Sequence, residues 1–197
     1  QNTVGVRSVH VPPVSFLRDQ LDAVSDDVGI DAVKIGMLAT ADVTIAVDRW
    51  LARVRPPVVV LDPVMVATSG DRLLDAEAEQ ALGDLVRRAD LVTPNVPELA
   101  ILAGAPVATS WDAVLEQAAR VSARFGVLVL AKGGHLRGTD LPDALVDAAG
   151  ETRAMYGSAQ TVVTPVLTAS GLVVRALHPP DDLVATTPKT GDAWTPV

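Results

Sequence analysis

Four short aliphatic runs punctuate the chain, each closed by a polar or glycine residue: DAVKIGM (31–37), PPVVVLD (56–62), ADLVTPN (89–95) and GVLVLAK (126–132). Continuous apolar runs of this length predict buried strands. The intervening segments have helical periodicity instead. PVSFLRDQLDAV (13–24) puts Leu17, Leu21 and Val24 on one face, and ADVTIAVDRWLARV (41–54) does so with Val43, Val47, Trp50, Leu51 and Val54. DAEAEQALGDLVRRA (75–89) carries acids early and Arg87 and Arg88 late, as the helix dipole prefers. SWDAVLEQAARVSARF (110–125) opens on a Ser110 cap and repeats Val114, Leu115, Ala118 and Val121. Strand–helix alternation at this spacing predicts right-handed βαβ units and a mostly parallel sheet with helices on both faces. In such sheets ligands gather at the carboxyl ends of the strands.

Beyond residue 150 the pattern weakens. AQTVVTPVL (159–167) predicts one more strand, and Pro179, Pro180, Pro188 and Pro196 break any helix over the final twenty residues. With no repeats and no long linker, residues 1–197 are expected to form a single domain.

Composition narrows the function classes. Hydrophobic residues make up 49% and charged residues 20% of the 197, a globular balance, but aromatics are only 3%. Val, Leu, Ala and Ile must therefore build the core, which suits parallel strands packed under helices. A formal charge of −8 argues against nucleic-acid or anionic-membrane partners, which need clustered Lys and Arg. Phosphate ligands stay open, because backbone N–H groups at helix starts bind them locally. The absence of cysteine excludes disulfides, thiolate metal sites and a cysteine nucleophile. No apolar run reaches the roughly 18 residues of a membrane span and no signal peptide opens the chain, so the expectation is a soluble cytoplasmic protein. The start at Gln1, without Met, suggests a fragment or processed product.

The strand ends carry the candidate chemistry. LDPVMVATSGD (61–71) places Asp62 at a strand exit, where a carboxylate either holds Mg²⁺ or caps the following turn. In TPNVPE (93–98), Asn95 and Glu98 lie three apart at a helix start. That spacing fits two side chains reaching one hydrated Mg²⁺, and equally a capping box. VLAKGGH (129–135) sets Lys132 after a strand, with Gly133 and Gly134 allowing close backbone approach. Such a lysine suits nucleotide phosphate, although the Walker A spacing is absent. His135 reads as structural or solvent-facing. Gly36 and Met37 follow the first run, Met37 either as a soft wall against a flat ring or as core.

Taken in order, QNTVGV, DAVKIGML, VVVLDPVMVATSGDRLL, LVTPNVPELAILAG and VLAKGGH resemble the hydroxymethylpyrimidine/phosphomethylpyrimidine kinases of thiamine biosynthesis, within the ribokinase-like superfamily. The close match covers roughly residues 1–150, and LDPVMVATSGDRLL is its most specific part. The resemblance implies a three-layer ribokinase-like fold and phosphoryl transfer from ATP to 4-amino-5-hydroxymethyl-2-methylpyrimidine, then to its monophosphate. It implies Gln1, Met37 and Val64 around the pyrimidine, Asp62 and Glu98 organising Mg²⁺, and Lys132, Asn95 and Gly133 near the nucleotide.

Two departures accompany it. The family opens with a strand and a glycine-rich segment of the type GxDPSGGAG, whereas this chain opens at Gln1 inside the expected second strand. Lack of that first βα unit would expose a sheet edge, which a homodimer is expected to cover. The family also carries THGTGC before its last long helix, as anion hole and catalytic base. VTPVLTASGL (163–172) falls at the matching distance, which assigns the catalytic turn to Ser170 and Gly171 and puts Leu172 where the base belongs. Leucine accepts no proton, and loss of a general base costs about 10²–10⁴ in rate. A damaged anion hole costs a further 10²–10³ or so. A rival placement uses KTGDAW (189–194), with Asp192 as base, but no helix N-terminus can follow so near residue 197. The alternatives to an impaired kinase are an inactive pyrimidine- or nucleotide-binding protein, a non-functional truncated product, and a pyridoxal-type kinase using Asp192.

Overall fold

A computed structural model of the chain describes residues 8–65, 76–134, 136, 143–147, 149–150, 152–155, 162–168 and 171–177. Helix α1 spans Val14–Asp27, strand β1 Val33–Ile35, α2 Ala41–Val54, β2 Val59–Leu61, α3 Ala76–Val86 and β3 Leu91–Val92. There follow α4 Val96–Ala103, α5 Trp111–Phe125, β4 Leu128–Lys132, β5 Asp143–Val146, β6 Thr152–Met155, β7 Val162–Thr168 and β8 Gly171–Leu177.

The first six strands form one sheet in the order β1-β2-β3-β4-β5-β6. The pairs from β1 to β4 are parallel, and β5 and β6 add antiparallel. This follows from the connections: helices join β1 to β4, as parallel neighbours require. Register brings Leu61 beside Ile35 and Val92 beside Leu61, so the strand exits stand in a row.

Neighbouring residues on a strand face opposite ways. Val59, Leu61, Val92, Val129 and Ala131 join the main core with Trp50 and Leu51 of α2, Leu82 and Leu85 of α3, Leu99 of α4 and Val114 and Val121 of α5. Val58, Val60, Leu91 and Leu130 form a second apolar cluster. Burial on both faces explains why the runs are continuous rather than alternating.

The helix ends obey local chemistry. Thr40 caps α2 at the Val43 amide, and Ser110 caps α5 at the Ala113 amide as the sequence predicts. Gly126 ends α5 at φ 71°, donates to Ser122 O and turns the chain into β4. Helix α1 buries no residue fully and leaves Phe16 and Val24 exposed, whereas the sequence periodicity puts Val24 on its packed face. Leu17 and Leu21 instead rest partly against the core, and Trp50 Nε1 of α2 donates to Leu21 O at 3.2 Å. An Arg53–Asp22 ion pair adds a second tie between α1 and α2.

The strand expected near residues 159–167 forms as β7, but it does not extend the six-stranded sheet. It pairs antiparallel with β8 in a two-stranded sheet, from Val162 opposite Leu177 to Thr168 opposite Gly171. VVTPVLT and GLVVRAL are two β-prone runs separated by two residues, which is hairpin spacing. Among the described residues no helix is long and apolar enough to cross a membrane.

Candidate functional site

Each of β2, β3 and β4 delivers polar groups at its carboxyl end. Asp62 follows β2, its amide still held by Ile35 O of β1 at 2.8 Å. Thr93 follows β3, its amide held by Leu61 O at 3.0 Å. Lys132 closes β4, its amide bonded to Pro94 O at 3.2 Å, and bridges to Asn95. Parallel pairing therefore sets Asp62, the Thr93–Asn95 segment and Lys132 side by side.

The side chains converge as well. Lys132 Nζ lies 3.1 Å from Asp62 Oδ1, and Thr93 Oγ1 donates to the same oxygen at 3.1 Å. Neither end of the ion pair is sealed from solvent: the lysine side chain is 37% exposed and the aspartate 27%.

Glu98 stands beside them on α4, only 2% exposed. Its Oε2 accepts the Asn95 amide at 2.9 Å, and Asn95 Oδ1 accepts the Glu98 amide at 2.9 Å. Of the two readings left open by the spacing, the capping box is thus realised, with Pro97 in the first turn. Burial raises the Glu98 pKa above the usual glutamate range, and the charge of Asp62 adds to the rise. The Asn95 amide, the Lys132 charge and the Met65 amide oppose it. A desolvated carboxylate within reach of Lys132 and Asp62 is what a site for a hard cation or a polyphosphate needs, and also what a cap at a crowded helix start produces.

Two further residues belong to this edge and carry no obvious sequence signal. Thr93 is buried and sits within the same TPN run that drew attention to Asn95. Asp143 opens β5 directly opposite Lys132, and its Oδ1 accepts the Gly133 amide at 3.1 Å. Burial raises its pKa, with the Gly133 amide and the Lys132 charge acting against the rise. Only the return of the chain after the glycine pair, in antiparallel register, brings it there.

The remaining predicted site residues separate into three groups. Met37 and Val64 leave the neighbouring strands β1 and β2; Met37 is 42% exposed and Val64 half-buried, its amide bonded to Asp62 O. Gln1, Ser170 and Asp192 lie outside the described residues. Gly171 opens β8 in extended pairing with Thr168, so where the resemblance puts a helix after the turn, the described residues from Gly171 onward form a strand. No helix follows Gly171 among the described residues. The cause is composition: Val162, Val163, Thr164, Val173 and Val174 favour strand over helix.

Among the described residues no cluster of three or more His, Asp or Glu side chains is placed to hold a metal. Asp62 and Glu98 make a pair of hard oxygen donors, the number Mg²⁺ commonly takes from protein when phosphates and waters complete its shell.

Comparison with known proteins identifies the family and the fold. The phosphomethylpyrimidine kinase family matches residues 1–171. The thiamine biosynthesis multifunctional protein ThiED of Corynebacterium efficiens is 53% identical over 147 residues, covering 74% of this chain and 20% of that protein. The hydroxymethylpyrimidine/phosphomethylpyrimidine kinase of Escherichia coli is 46% identical over 154 residues, covering 78% of this chain and 58% of that protein. The chain thus spans less than two thirds of the length of these relatives. Among solved structures, phosphomethylpyrimidine kinase from Clostridium difficile superposes with a TM-score of 0.69 at 33% identity, over 78% of this chain and 66% of that one. An ADP complex of Bacillus subtilis pyridoxal kinase gives 0.66 at 29% identity, over 77% and 55%.

Proposed function

Since the chain belongs to the phosphomethylpyrimidine kinase family, we propose that it serves ATP-dependent phosphorylation of 4-amino-5-hydroxymethyl-2-methylpyrimidine and of its monophosphate. The hydroxymethyl oxygen attacks the terminal phosphorus of ATP and forms the new O–P bond. The bond to the bridging oxygen breaks, ADP departs, and the hydroxyl proton passes to water. Such transfer depends chiefly on positioning and charge neutralisation rather than on covalent chemistry by the protein.

The observation that carries this reading is the convergence of Asp62, Glu98 and Lys132, with Lys132 Nζ 3.1 Å from Asp62 Oδ1, on the carboxyl edge of a parallel sheet. Lys132 would pair with nucleotide phosphate, Gly133 and Asn95 would flank it, and Met37, Val64 and Gln1 would line the pyrimidine side. Asp62 and Glu98 would hold Mg²⁺, which when bound offsets phosphate charge. A homodimer is proposed because β1 has a partner on one side only within the described sheet, and the proposed place of work is the cytoplasm. Incubating the chain with ATP, Mg²⁺ and the pyrimidine alcohol should yield ADP and the pyrimidine phosphate. Neither product nor ligand binding would end this reading.

A second reading is favoured by the β7–β8 hairpin and by Leu172: a protein that binds nucleotide or pyrimidine without turnover. Calorimetry that detects ATP binding, beside an assay with pyrimidine and pyridoxal that yields no phosphorylated product, selects it.

A further inference from the structure

We propose that Asp143 is a positioning residue for the nucleotide side of the site: its carboxylate holds the Gly133 amide and thereby sets where Lys132 stands. Resting on the nucleotide reading above, this adds a residue that neither the strand-exit pattern nor the capping box supplies.

The placement has two independent parts. Asp143 Oδ1 accepts the Gly133 N–H at 3.1 Å, and β4–β5 pairing puts Asp143 directly opposite Lys132. Gly133 is buried, so its N–H needs an internal acceptor. In a regular antiparallel pair the next acceptor would be a backbone carbonyl. Here the described pairing ends at Lys132–Asp143, and a side chain takes over the bond. The Asp143 carboxylate also lies close enough to feel the charge of Lys132, whose ammonium contacts Asp62 at 3.1 Å. A half-buried carboxylate has a desolvation cost that a purely structural strand opener would avoid with an apolar or hydroxyl side chain.

The test compares wild type with Asp143→Ala, Asp143→Ser and Asp143→Asn in the full chain. Amide exchange at Gly133 is read by NMR, ATP affinity by calorimetry, and folding by thermal unfolding. Ala and Ser cannot reach the amide, so Gly133 exchange should speed up and the ATP dissociation constant rise, each by about tenfold. Asn keeps an acceptor oxygen and should restore both to within roughly threefold of wild type. Unchanged Gly133 exchange in folded Ala or Ser protein overturns the proposal, as does Asn that fails to restore it. If Ala does not fold, the Ser and Asn pair decides on the same criteria. Wild type that binds no ATP, with Gly133 exchange still dependent on Asp143, overturns the nucleotide reading instead and supports the loop-holding role.

Discussion

Lys132, at the end of β4, reaches past β3 to Asp62, at the end of β2, and donates to its Oδ1 over 3.1 Å. Thr93, on the strand between, donates to the same oxygen. The ends of three successive parallel strands are thus tied at one carboxylate. A half-exposed ion pair contributes only about 0–1 kcal/mol to stability, so the fold depends little on it.

Lys132→Met should accordingly leave the unfolding midpoint within a few degrees while weakening ATP binding about tenfold or more, because a charge-assisted contact is lost. Calorimetry with ATP alone, beside thermal unfolding, measures both. A large fall in stability with unchanged ATP affinity would reverse the assignment.

Glu98 should make stability depend on pH in a defined sense. Its pKa in the folded chain lies above the ordinary value of 4.5, so the folded state binds the proton more tightly than the unfolded state. Stability therefore falls as pH rises from about 4.5 through the folded pKa, and Asp143 acts in the same sense. Glu98→Gln keeps an acceptor for the Asn95 amide but removes the titration. The variant should melt above wild type at pH 7, with the gap closing toward pH 4.5. Thermal unfolding at several pH values follows it.

Asn95 serves the cap of α4, and Asn95→Ala should cost about 1 kcal/mol, within the 0.5–2 typical of lost caps. Asn95→Asp caps equally well but places a negative charge where phosphate is proposed to sit. Its denaturant midpoint should stay near wild type while its ATP affinity falls. Equal affinity in Asn95→Asp and wild type removes Asn95 from the nucleotide side and leaves it a cap.

Trp50 Nε1 donates to Leu21 O and to Ser25 Oγ, tying down a helix that buries no residue fully. Trp50→Phe loses both bonds, and a net cost of about 1–2 kcal/mol is expected. Hydrogen exchange should quicken across α1 before the amides of β2 to β4 respond, since those strands lie in the main core.

Much of this was legible in the linear chain, because the relevant forces are local or periodic. The four aliphatic runs became β1 to β4, and Ser110 caps α5 as its position predicts. Asp62 and Lys132 stand out in the sequence because a polar residue ending an apolar run has few places to go but the edge of a buried sheet, and Glu98 stands out by its spacing of three from Asn95 at a helix start. Residue spacing could not say whether Asn95 and Glu98 cap a helix or face a ligand, since one geometry satisfies both.

What the amino-acid order established is the succession of strands and helices and the polar residues at their ends, because periodicity and capping act over a few neighbours. Which ends meet depended on register. Lys132 touches Asp62, seventy positions earlier, because β2, β3 and β4 lie parallel and adjacent. Asp143 faces Lys132 because β5 returns antiparallel, and β7 joins β8 rather than the larger sheet. Those contacts arise from strand pairing between distant segments, which no local pattern encodes.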